Sequence, residues 1–144
     1  MNKNIYTYYI LKESNLIIEI LKGNFDISDF VNLKKIESED SDFNPNFNTI
    51  LDIRNIENAF SQEIRNDLEN YLELIKSMQS VTKRKKTAVI TRTPSQVTGI
   101  TWYTLIDDRG INYRVFSTLK RAKDWLGVSD IELSDIDSNL TDSL

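Results

Sequence analysis

The sequence predicts an α/β fold: a five-stranded, mixed, mostly parallel sheet with about four helices, opened by an N-terminal antiparallel hairpin. Three observations predict it. Two runs rich in Ile, Leu and Tyr, Ile5–Leu11 and Leu16–Leu21, are separated only by Lys12-Glu-Ser-Asn15, a link short enough to force an antiparallel pair. Strand-type and helix-type patterns then alternate as far as Gly127, which calls for right-handed crossovers between parallel strands. The run Ala88-Val-Ile90 is short and wholly apolar, as a strand covered on both faces should be.

Taken in order, Ile5–Leu11 and Leu16–Leu21 form the hairpin, closed by Lys22-Gly-Asn24. Ser28 caps a helix to about Glu37, with Phe30, Val31, Leu33 and Ile36 as its apolar positions. A polar link around Pro45 carries Phe43 and Phe47, which pin it to the body. Thr49–Arg54 is the third strand. Ser61 starts the most regular helix of the chain, with Ile64, Leu68, Leu72 and Ile75 at steps of three and four and charges on the other side. Lys83-Arg-Lys-Lys86 comes next. It is either an anion or partner patch or a solvated turn favouring the preceding helix end, and the solvated turn is the simpler reading.

Thr87–Arg92 is the fourth strand, punctuated by Thr93-Pro-Ser95, and Gln96–Asp108 is a helix. Val97, Ile100, Trp102, Tyr103, Leu105 and Ile106 spread nearly all round it, more apolar surface than one buried face can use. Asn112–Phe116 is the fifth strand, and Ser117 caps a closing helix stopped by Gly127. Residues 1–127 make the α/β domain. Residues 128–144 hold five acids (Asp130, Glu132, Asp135, Asp137, Asp142) and no base, and read as an acidic tail dispensable for folding.

Composition narrows the function. The chain has 144 residues, no Cys and no His. Disulfides, thiol chemistry, His-based triads and His or Cys zinc sites are thereby excluded. Its four glycines stand singly, so no phosphate-cradling Gly-rich loop exists. Net charge is −4; with the tail set aside the body is nearly neutral, which gives no reason to expect nucleic acid. No apolar run approaches the roughly 20 residues of a membrane span, and the first residues lack the layout of a signal peptide. A cytoplasmic location is the expectation.

In an open α/β sheet, ligands and partners gather at the carboxyl ends of parallel strands. Those ends supply Asp52 and Arg54, then Arg92, then Ser117, with helix starts near Ser61 and Ser95. Two arginines beside helix N-termini suit a phosphate, a carboxylate or an acidic loop. The competing reading is that Arg54 pairs with Asp52 and the serines only cap. Trp102 and Tyr103, on the over-apolar helix, suit a protein interface or a pocket wall. No cofactor or metal is expected.

The element order and three stretches carry a resemblance: Ile50-Leu-Asp-Ile-Arg54, Ala88-Val-Ile90 leading to Gly99, and Val115-Phe-Ser-Thr-Leu-Lys-Arg-Ala-Lys-Asp-Trp-Leu126. Over about residues 5–127 the chain resembles the STAS domain, closest to a bacterial branch related to sporulation anti-sigma-factor antagonists. True antagonists begin the helix after the third strand with Asp-Ser-Ser/Thr-Gly, where a phosphorylated hydroxyl breaks partner binding. Here Phe60-Ser-Gln-Glu63 stands there, with Gln62 at the acceptor position. The resemblance implies a non-enzymatic regulatory module that binds a protein partner or a second copy of itself. The alternative is a carrier or sensor of a small apolar, lipid-like or anionic ligand. Enzymatic chemistry through Asp52, Asp107 and Asp108 ranks last.

Overall fold

The computed structural model describes residues 4–57, 69–70, 73, 85–106, 112–133, 136 and 140, with the backbone alone for 27 and 102–106. Five strands form one sheet in the order β1 (Ile5–Leu11), β2 (Leu16–Gly23), β3 (Asn48–Ile56), β4 (Thr87–Ile90) and β5 (Tyr113–Phe116). β1 is antiparallel to β2 and every later pair is parallel, the mixed sheet the sequence predicts. A 3-10 turn, Lys12–Ser14, and Asn15 in the left-handed region (φ 52°) close the hairpin. Asn tolerates that region better than most residues.

Three α-helices lie among the described residues: α1 (Ile27–Ser38), α2 (Pro94–Ile106) and α3 (Leu119–Leu126). Each starts one or two residues from its expected origin. Asp26, not Ser28, caps α1, and a reciprocal bond with Asp29 completes a capping box. Thr118, not Ser117, caps α3, and Gly127 (φ 75°) ends it as expected. Glu69, Asn70 and Glu73 are helical and exposed, in keeping with the charged face of the helix expected from Ser61. Its start and its apolar positions Ile64, Leu68, Leu72 and Ile75 lie outside the described residues.

The strand order explains the two cores. Each step from β2 to β5 moves one place in the same direction, so right-handed crossovers put the described crossover helices, α1 and α2, on one face. Phe30 of α1 and Ile100 of α2 accordingly meet Leu21, Leu51, Ile53 and Val89 in the first core. The opposite face, with Leu16, Ile18, Ile20, Ile50, Ala88 and Ile90, is left to the chain beyond β5. α3 supplies Leu119, Ala122 and Leu126; beyond it come Val128, Leu133 and Leu140, all buried, with Ile131 and Ile136 packed alongside. The Tyr9 hydroxyl donates to the Ile136 carbonyl (3.3 Å), so this segment runs from α3 back to β1. Acidic composition suggested a dispensable tail; its apolar side chains instead close the second core.

α1 departs from its expected face. Phe30 and Val31 are buried, but Ile36 is 56% exposed while Lys34 and Glu37 are buried. The cause sits in β2, where Glu19 interrupts an apolar strand and is fully buried. Lys34 Nζ donates to both Glu19 carboxylate oxygens (2.5 and 2.6 Å) and lies 5.3 Å from the Phe30 ring centroid. Glu37 accepts from the Tyr6 hydroxyl, and Tyr8 donates to Asp40 (2.8 Å). The hydrogen bond to Asp40, helped by burial, pushes the Tyr8 phenol up to about 12.

The second core and the α1 cap can each be tested. Leu133→Ala should destabilise by about 2–5 kcal/mol, the usual loss for a large buried aliphatic side chain, and truncation after Gly127 should lower the melting temperature sharply. Denaturation of the truncated chain with an unchanged midpoint would show that the second face does not need this cover. The Asp26 cap should titrate. Burial raises its carboxyl, but the amide and hydroxyl donors of Asp29 and Ser28 outweigh this and hold it below the usual carboxylate value. A depressed folded value means the cap's contribution is complete above the unfolded value and fades as pH falls through the folded one. Asp26→Ala should therefore cost ~0.5–2 kcal/mol at neutral pH, and the gap between the two urea midpoints should close as the solution is acidified.

Candidate functional site

The carboxyl ends of β3, β4 and β5 do converge, and the backbone there is locked by side chains. β2 and β3 pair regularly up to Ile20 opposite Asp52, then resume with Lys22 opposite Asn55. β3 therefore carries one extra residue, a bulge, over Ile53 and Arg54. Asp52 shapes it: its Oδ1 accepts from the Arg54 backbone N–H (3.0 Å) and from Arg54 Nε (3.0 Å), while Oδ2 accepts from Nη2 (2.9 Å). Asp52 is 1% and Arg54 4% exposed. The pair is bidentate and internal, as the competing sequence reading has it. Burying two charges costs heavily unless geometry and further bonds compensate, and here a backbone amide joins the pair.

Gln96, which the sequence reading passed over, ties β3 to the start of α2. It is 5% exposed. Its Nε2 donates to the carbonyls of Arg54 and Ile56 (both 3.2 Å). Its Oε1 accepts from the backbone N–H groups of Arg92 (2.6 Å) and Thr93 (3.2 Å), and the Gln96 N–H donates to Thr93 Oγ1 (3.2 Å). Thr93 and Gln96 thus form a capping box around Pro94 in the first helical position. The signal was legible as Thr93-Pro-Ser-Gln96, a Thr three residues before a Gln. It makes Thr93 the cap and leaves Ser95 exposed within the first turn.

Arg92 is exposed, and its Nη1 donates to Asn55 Oδ1 (3.1 Å). Beside it lies a shallow, solvent-open depression walled by Thr91, Arg92, Thr93, Pro94, Val97, Thr98 and Ser117. Of the residues singled out from sequence, Arg92 and Ser95 thus sit at one exposed rim, whereas Asp52 and Arg54 lie beneath it. Ser61 lies outside the described residues. Trp102 and Tyr103 are on α2, where the backbone alone is described. The described residues hold no group of three or more His, Cys, Asp or Glu able to take a metal ion, and no described helix is long and apolar enough to cross a membrane.

This geometry can be set beside known proteins. No family model and no curated protein matches the sequence. Among solved structures, an uncharacterized protein of the DUF3478 family from Shewanella loihica PV-4, described as having a SpoIIAA-like fold, superposes with a TM-score of 0.55 at 15% identity, over 88% of this chain and 97% of that one. The chain has a SpoIIAA-like, STAS-type fold. At this identity the likeness concerns the fold alone. The expected mixed sheet is the one found, and the STAS-type arrangement places the β3–α2 rim at the edge where the strands end.

Breaking the internal pair separates a structural Arg54 from an exposed binding one. Arg54→Met strands the Asp52 carboxylate in the interior and should destabilise by about 3–5 kcal/mol. Arg92→Met, at an exposed position, should stay within about 0.5 kcal/mol of the parent. Chemical denaturation of both variants checks this, and equal, small losses would mean that the Asp52–Arg54 pair is not buried in solution.

Proposed function

We propose that the protein is a non-enzymatic regulatory module that works by binding another protein, and that the exposed face of α2 with the Arg92 rim is its docking surface. The observation that carries this is the surface of α2. From Pro94 to Ile106 the helix has no charged residue. Pro94, Val97, Thr98 and Thr101 are exposed at spacings of three, four and seven, which is one helix stripe. Thr98 Oγ1 donates to the Pro94 carbonyl (3.1 Å) and Thr101 Oγ1 to the Val97 carbonyl (2.8 Å). The threonine hydroxyls turn back to their own helix, so the stripe makes little demand on water. An uncharged stripe bordered by an arginine has the make-up of an interface centre and its rim. Trp102 and Tyr103, further along α2, are assigned to the same proposed surface, and Ser61, outside the described residues, is kept as a proposed partner contact.

The STAS-type fold supports this reading, since the anti-sigma-factor antagonists that the sequence resembles act through protein partners. The buried Asp52–Arg54 pair supports it too: the acid and base at the strand ends are engaged with each other rather than presented to a substrate. The depression beside Arg92 is open to solvent, which favours a docking surface over enclosed carriage of a lipid-like ligand.

A photo-crosslinking residue at Val97 should yield a discrete adduct in the native cell. The same residue at exposed Ser28, on α1, should not. Val97→Asp should abolish the adduct made from a crosslinker at Thr98 while leaving the melting temperature within error. Identical adduct patterns from positions 97 and 28, or none from either, would defeat the proposal.

A further inference from the structure

A second surface lies at the other end of the sheet order, where β5 forms the edge and α3 covers the opposite face from α2. Trp125 of α3 is half-buried there. Lys86 Nζ stands 5.3 Å from its ring centroid and the Arg114 guanidinium carbon 5.5 Å from it. The Phe116 ring is tilted against the same indole with centroids 5.7 Å apart. Arg121 sits one helical turn before Trp125 and lines a depression with Phe116, Thr118, Lys120 and Asp124. Lys86, Arg114 and Arg121 are all exposed, and among the described residues none of the three forms an ion pair with a carboxylate. A chain whose net charge is −4 thus gathers two cations at one indole and a third, Arg121, on the depression beside it, where Asp124 is the one described acid in the lining and lies in no ion pair with them.

We infer that this edge is a docking site for an extended acidic peptide segment of a partner protein, added beside β5. Among the described residues the strand is the last in the sheet, and a strand edge recruits extended chains through its backbone groups. Arg114 and Phe116 are two residues apart and share a face of β5. Phe116 packs in the second core, so that face is the α3 face. An added strand places every second side chain on it. Carboxylates there answer Arg114 and Arg121 with their methylene stems over Trp125 and Phe116, and the intervening apolar side chains take the other face.

Charge decides against a nucleic acid. A phosphate polymer runs past so small a patch and meets a protein of pI about 4.9, whereas a short peptide engages the patch alone. A second copy's acidic segment is also disfavoured, because Val128, Leu133 and Leu140, which accompany its acids, are already buried in its own second core. The surface is independent of the α2 stripe, and either stands without the other.

The test uses the full chain, labelled with nitrogen-15, and a short synthetic peptide alternating Glu and Val. The expected result is amide shifts confined to residues 113–116 and the Trp125 indole, with affinity falling as salt is raised. The matching Gln-Val peptide should bind about tenfold more weakly, as should Arg114→Glu/Arg121→Glu with the Glu-Val peptide, the size expected for two lost charge contacts. Because both arginines are exposed, the variant should keep the parent's spectrum; if it does not fold, the Gln-Val comparison and the salt series on the parent decide. No shift with millimolar peptide at low salt, equal binding of the two peptides, or tighter binding of oligothymidylate at the same residues would overturn the inference.

Discussion

The constraint on which this structure rests is the direction of its strand order. A sheet that advances one place at a time through right-handed crossovers receives all its crossover helices on one side. The first core is then generous, because α1 and α2 both return over it. The second face has no crossover to cover it. Its Leu16, Ile18, Ile20, Ile50, Ala88 and Ile90 side chains would meet water across the whole width of the sheet. One eight-residue helix, α3, packs chiefly on β4 and β5. The stretch from Val128 to Leu140 must therefore cross back to β1, and the Tyr9–Ile136 bond marks where it arrives. Exposed Asp130 and Glu132 remain outside while Val128, Leu133 and Leu140 turn in.

The same economy governs the strand ends. An inserted residue in β3 would fray the sheet at its carboxyl edge unless its backbone were held. Asp52 takes the Arg54 amide and guanidinium together, and Gln96 takes the next free carbonyls of β3 and the first free amides before α2. One buried glutamine thus sets the distance between β3 and the start of α2. The groups left outward at this edge are Arg92 and the uncharged stripe of α2, positioned by groups that are themselves enclosed.

The sequence made the element order legible because each strand and helix carries its own period and punctuation: the short hairpin link, the Gly127 stop, the apolar Ala88-Val-Ile90. It also offered the right competing reading for Arg54, because an acid and a base two residues apart on one strand share a face. Three features were hidden for physical reasons. The role of Val128, Leu133 and Leu140 depends on which face lacks cover, a property of the whole topology that composition cannot carry. The inversion on α1, with Lys34 and Glu37 in and Ile36 out, is dictated by Glu19 on a distant strand. Had Glu19 been weighed as a buried charge in need of a partner, Lys34 on the next helix was the candidate. Gln96 looked like an ordinary polar residue, although its spacing from Thr93 announced the capping box.

Charge averages concealed the remaining feature. The body of the chain is close to neutral, which argues against a polyanion in general. Neutrality can be reached by interspersed pairs or by segregation, and the two have different consequences for recognition. Here Lys12 meets Asp42 (3.3 Å) near the hairpin and Lys34 meets Glu19 in the interior, so these cations are neutralised where they stand. Around Trp125 the described acid, Asp124, borders the depression without pairing with Lys86, Arg114 or Arg121. An indole beside two cations restrains their side chains, which lowers the entropy lost when a carboxylate arrives. The aromatic residue therefore does more than pack α3 against β5: it orders the charges that a partner would meet.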